Sequence, residues 1–103
     1  QGRTGLLVSA QYNHWSLIEL ILRQRDDLAR QVDNKKNNFL HVLAAHQHTE
    51  TIRLSLSILS TSLKQKLLNE KNQFDQRPVD IAQVHEQAEA VGLLTAGKDD
   101  EQV

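Results

Sequence analysis

Apolar residues in this chain fall into short stripes separated by polar runs, and the stripes come in pairs. Leu6-Leu7-Val8-Ser9-Ala10, Leu40-His41-Val42-Leu43-Ala44 and Val79-Asp80-Ile81-Ala82 each open on an apolar residue and place a small one soon after. Beyond a polar break each is followed by a second stripe: Leu17-Ile18 to Ile21-Leu22, Ile52 to Leu56, and Val91 to Leu94. Recurrence at three and four positions is helical spacing. The first stripes open at Leu6, Leu40 and Val79, a recurrence in the thirties whose second interval is the longer. Such a period with two short helices per unit predicts an all-α stack of repeats, not one closed bundle.

Helix punctuation refines this. A helix is predicted over about 5–12 and another over about 16–25, with Asn13-His14 as the turn and Ser16 with Glu19 as a capping box. In the middle unit a helix opens near Thr49 and carries Ile52, Leu56, Leu59 and Leu63 on one long stripe, so the extra length of the second interval falls between Ser57 and Leu68. The polar runs 33–38 and 69–76 carry turn chemistry and are expected to form hairpin-like loops, or fingers.

These residues resemble a known family. Asn38-Phe39-Leu40-His41-Val42-Leu43-Ala44, followed by Gln47-His48-Thr49-Glu50-Thr51-Ile52-Arg53-Leu54, is similar to the ankyrin repeat, whose pattern is Thr-Pro-Leu-His-x-Ala-Ala, then Gly-His-x-x-Ile-Val and a Leu-Leu pair. Arg77-Pro78-Val79-Asp80-Ile81-Ala82 with Glu89-Ala90-Val91-Gly92-Leu93-Leu94 is a second match, and Gly2-Arg3-Thr4-Gly5-Leu6 with Asn13-His14 and Leu17-Ile18 a third. The resemblance implies a three-repeat domain over 3–97, with units at about 3–32, 33–71 and 72–97.

The departures from the pattern carry their own expectations. Lys36 and Asp75 stand where the family has a loop Gly; Asp tolerates positive φ but Lys pays more for it, which predicts a distorted or mobile first finger. Asn38 and Arg77 replace the Thr that bonds the repeat's His, so that contact is lost from both units. Gly5 and Leu7 replace the usual Pro and His, as expected of a terminal or divergent first unit.

Composition narrows the functions. The chain has 103 residues with 39% hydrophobic and 24% charged, which suits one ordinary globular domain. A formal net charge of −1 lacks the basic surplus that nucleic acid or an anionic membrane requires. Zero cysteine removes disulfides, thiolate zinc sites and cysteine nucleophiles together. The pair Gln1-Gly2, with no initiating Met, reads as a remnant of tag removal, and 98–103 as a polar tail.

Candidate chemistry is sparse. His41, His46 and His48 invite a metal reading, but residues five apart on a helix are turned by about 140°, and a structural site wants four convergent ligands. His14 and His48 occupy matching inter-helix turns, where the ankyrin pattern uses His to bond backbone. Ser55, Ser57, Ser60 and Ser62 have no acid or His at a catalytic spacing, and no nucleophile or phosphate-loop motif occurs. Lys35-Lys36 and Lys64/Lys66 read as solvated charges. Trp15 is placed to brace its turn. Phe74, in a polar finger, has two readings: an anchor for a partner, or packing on the extended helix.

By resemblance, the family binds other proteins through finger tips and the exposed ends of first helices. That transfers to Gln11 and Tyr12, Ala45 and His46, and Val84 and His85, with Tyr12, His46 and His85 stacking in one column. The fingers add Asn34, Lys35 and Asn37, then Gln73, Phe74 and Gln76. The resulting expectation is a monomeric, intracellular protein-recognition module without enzymatic activity, metal or cofactor. The alternative is a substrate-recognition or regulatory segment of a larger enzyme, such as a secreted bacterial effector acting in a host cytosol.

Overall fold

The computed structural model describes the backbone of residues 5–98 and side chains as far as Thr95. Gln1-Gly2 and residues 99–103 of the expected tail lie outside the described residues, as does the first-unit match over Gly2-Arg3-Thr4. Among the described residues the fold is all-helical. In chain order come α1 (Gly5–Gln11), α2 (Trp15–Gln24), a 3-10 turn (Asp26–Arg30), α3 (Phe39–Ala45), α4 (Thr49–Ile58), α5 (Thr61–Asn69), α6 (Pro78–Val84) and α7 (Ala88–Lys98).

Three helical hairpins, α1–α2, α3–α4 and α6–α7, are closed by one and the same turn. Asn13, Gln47 and Glu86 each take positive φ, at 60°, 61° and 56°. One residue later the N–H reaches back five residues: His14 to the Ser9 carbonyl at 2.9 Å, His48 to Leu43 at 3.0 Å, and Gln87 to Ala82 at 3.0 Å. The positive-φ residues themselves bond Ala10, Ala44 and Gln83. This pairing of bonds is the Schellman ending, which satisfies the last carbonyls of a helix and reverses the chain. The turns recur in phase with the stripes that open at Leu6, Leu40 and Val79, each falling at the same distance behind its stripe.

The hairpins stack in chain order in two layers. α1 packs on α3 and α3 on α6, while α2 packs on α4 and α4 on α7. Leu6, Ala10, Leu40, Ala44 and Ala82 are buried in the first-helix layer, with Val79 partly covered. Ile18, Leu22, Ile52, Leu56 and Leu94 fill the second. α1, α3 and α6 have seven residues each, too short to persist alone in water, so packing holds them.

The sequence-based boundaries need three corrections. α2 begins at Trp15 with His14 as N-cap and no side-chain cap, so Ser16 lies inside the first turn and forms no capping box. The Schellman turn already delivers His14 as the start of the next helix. The long stripe through Leu63 is two helices, because Leu59 is extended (φ −77°, ψ 144°) and Ser60 caps α5 by accepting the Leu63 N–H at 3.3 Å. That break lets Leu63, Leu67 and Leu68 turn inward where α5 meets α6 and α7. The Ser run also divides: Ser60 is a cap, Ser57 bonds the Leu54 carbonyl, and Ser55 is buried.

Ser55 occupies the position of Ile21 and Leu94 in the neighbouring hairpins, and its buried hydroxyl has no hydrogen-bond partner. Exchanging that hydroxyl for hydrogen removes an unmet desolvation cost. Ser55→Ala should therefore raise unfolding free energy by about 1 kcal/mol. Ile52→Ala, three residues earlier and fully buried, should lower it by ~2 to 5 kcal/mol. Urea unfolding of the two variants checks both signs, and a wild-type-like Ile52→Ala would contradict this packing.

Candidate functional site

Two fingers project from the stack, and each is organised by one buried side chain. Asp33 Oδ1 accepts the N–H groups of Lys35 and Asn37, both at 2.9 Å. Asn72, its counterpart in the second finger, accepts those of Phe74 at 2.9 Å and Gln76 at 3.0 Å. The backbone closes identically, Asp33 N–H to the Asn37 carbonyl and Asn72 N–H to that of Gln76. Lys36 and Asp75 hold φ of 64° and 63°. The expected distortion at Lys36 is absent, because the Asp33 carboxylate supplies the bonds that hold the turn.

The fingers are tied to each other and to the helix beneath. Gln73 N–H donates to the Lys35 carbonyl at 2.9 Å, and Asn72 Nδ2 donates to Asn37 Oδ1 at 2.8 Å. His41 is fully buried in α3. Its Nδ1 accepts the Asn38 N–H at 3.0 Å, which leaves the proton on Nε2 to be donated to the Gln76 carbonyl at 2.8 Å. Burial pushes the His41 pKa below its ordinary value, outweighing the Gln76 carbonyl and the more distant Glu70 and Asp33 charges that pull it up. Asp80 does the corresponding work in the next unit, accepting the Arg77 N–H at 2.8 Å. Partial burial pushes the Asp80 carboxyl up, but that N–H and the Arg77 guanidinium hold it below the usual carboxylate range.

Asn38, where the repeat pattern has Thr, is completely buried and fully bonded. Its Oδ1 caps α3 through Leu40 N–H at 3.0 Å and His41 N–H at 3.1 Å. Its Nδ2 donates to the Leu67 carbonyl at 3.1 Å and Glu70 Oε1 at 2.8 Å. A Thr hydroxyl has one proton and could not serve both acceptors. The departure at this position thus accompanies the extra helix α5.

Between the fingers and the ends of α3 and α6 runs a groove of about 260 Å³. Of the residues expected to recognise a partner, Lys35, Asn37, Ala45, His46, Phe74, Gln76, Val84 and His85 line it. Gln11, Tyr12, Asn34 and Gln73 do not. Tyr12, His46 and His85 follow their first helices at the same place in the three turns, but only the two histidines reach the groove. The Gln11 carbonyl faces the next hairpin, taking a bond from His48 Nε2 at 3.2 Å. Phe74 is 58% exposed and Val84 68%, so both keep more than half of their surface open to solvent. His41, Val42, Asn72 and Ile81 form the floor, which sequence reasoning does not assign to the surface. The signal available for Asn72 was its match to Asp33, which repeats the interval from Leu40 to Val79.

The histidines divide by role. His46 and His48 stack at 5.9 Å and 15°, His85 lies on the groove, and His41 is sealed beneath it. Among the described residues no three His, Asp or Glu side chains gather to hold a metal, and no helix is long and apolar enough to cross a membrane. No protein-family model matches the chain, and no curated protein matches it either.

Two outcomes follow from this geometry. Because the folded His41 resists protonation, the unfolded chain takes up the proton first as pH falls. The stability that neutral His41 contributes is complete above about pH 6.5 and is lost as pH drops through the folded-state value. Melting temperature should decline between about pH 7 and 5.5 more steeply in wild type than in His41→Gln. Asn38→Asp keeps the cap acceptor but sets a carboxylate against Glu70 and the Leu67 carbonyl. It should cost ~3 kcal/mol and more than Asn38→Ser, measured by denaturant unfolding.

Proposed function

We propose that this chain is an ankyrin-type solenoid of three repeats that acts as a protein-recognition module, with the groove between fingers and first helices as its binding face. The observation that carries the reading is that the groove collects exposed Phe74 and Val84 beside Lys35, His46 and His85. Apolar anchors flanked by polar donors are the make-up of a recognition patch, where a few well-placed side chains dominate affinity.

Rigidity supports the same reading. The finger backbones are fixed by Asp33 and Asn72 and by the bonds between them, so little ordering entropy is lost when a partner docks. The groove walls hold no nucleophile paired with a base, which favours binding over chemistry for this segment. The exposed groove residues can vary without cost to the core, so the scaffold alone does not name the partner.

Affinity capture with wild type beside Phe74→Ala/Val84→Ala/His85→Ala tests the assignment. All three side chains are exposed, so the variant should melt within about 2 °C of wild type while losing most of the captured partner. Equal recovery by both proteins would remove the groove from consideration.

A further inference from the structure

The two ends of the helical stack are finished differently. Within the stack, three positions are buried or partly covered in each hairpin that has another before it. Val42 in α3 and its counterpart Ile81 in α6 are buried at 2% and 7% exposure. Thr51 in α4 and Ala90 in α7 are buried likewise, and Leu54 and Leu93 are partly covered. In the first hairpin the same positions hold Val8, Leu17 and Leu20, all large and apolar, and they are 40%, 43% and 50% exposed.

At the other end the corresponding change is to polar side chains. Ala10 and Ala44, buried under the following hairpin, are replaced in the third by Gln83, which is exposed. Leu22 and Leu56, also buried, are replaced by Thr95, exposed as well. A terminal repeat needs a polar outer face to stand in water. The α6–α7 end has that substitution and the α1–α2 end lacks it.

We propose that the α1–α2 end is a stacking face for one further helical hairpin of the same build. Val8, Leu17 and Leu20 continue the interface already formed twice within the chain, at the positions that interface covers. An occupant with apolar and small residues where this chain has Leu6, Ala10 and Leu22 fits the face. The α6–α7 end of a second copy fits it less well, because Gln83 and Thr95 stand at two of those three positions.

A tandem protein tests this, with residues 1–34 duplicated ahead of the full chain so that the added hairpin falls one turn spacing earlier. If the face is a stacking face, the tandem melts in one transition at least ~5 °C above the chain alone. Leu20→Glu in the original hairpin should then abolish most of that gain, while moving the chain alone by less than ~2 °C because the residue is exposed there. Independent melting of the added hairpin, its failure to fold, or an equal effect of Leu20→Glu in both proteins would overturn the proposal. So would sedimentation of the unmodified chain as a dimer that Leu20→Glu dissociates, which would assign the face to a second copy.

Discussion

A helical hairpin with a seven-residue first helix exposes nearly as much backbone and apolar stripe as it can hide. It stands only when a neighbour covers that stripe, and this mutual covering governs everything else in the molecule. Each apolar layer runs through all three hairpins as one continuous seam, α1–α3–α6 on one side and α2–α4–α7 on the other. Small residues at Ala10, Ala44 and Ala82 are fully buried and let the first helices approach, so volume added there is resisted by the packed neighbours.

Apolar contact alone would allow the hairpins to slide, and polar groups set the register. At the turn end, His48 reaches the Gln11 carbonyl, Thr51 pairs with Asn13, and Gln87 Nε2 donates to the Ala44 carbonyl at 2.7 Å. At the finger end, His41 bonds the carbonyl of Gln76 and the two fingers share a backbone bond. Each link is a directional bond between neighbouring hairpins or fingers that sliding would break, so it fixes position where apolar contact cannot. His41 carries the greatest weight. One buried ring closes the start of its own helix and holds the next finger, and it does so only while neutral.

The proposed groove keeps recognition and stability on different side chains. Asp33, Asn72 and His41 are buried and committed to the frame, while Phe74, Val84 and His85 are exposed on the groove. Substitutions on the groove can alter what it binds while the frame keeps its shape. The break at Leu59–Ser60 has another logic. Helix α5 takes up the longer second spacing, its end is held by the amide of Asn38, and its leucines thicken the stack beside α7.

From the order of amino acids alone come the helical class, the paired stripes and their two unequal spacings, because apolar periodicity records which face of each helix must be dry. Both fingers were legible too, since turn chemistry is local, and so was most of the groove. The start of α2, the split after Ile58 and the regular geometry at Lys36 emerge only once the chain is folded. A Ser can cap a helix or sit within one, and a Lys can hold positive φ, depending on which distant groups meet it. Asn38 shows the difference most plainly. From sequence it reads as a Thr replaced and a contact with the repeat's His lost, yet in the fold its Oδ1 accepts the His41 N–H and its amide meets Leu67 and Glu70, which lie far along the chain.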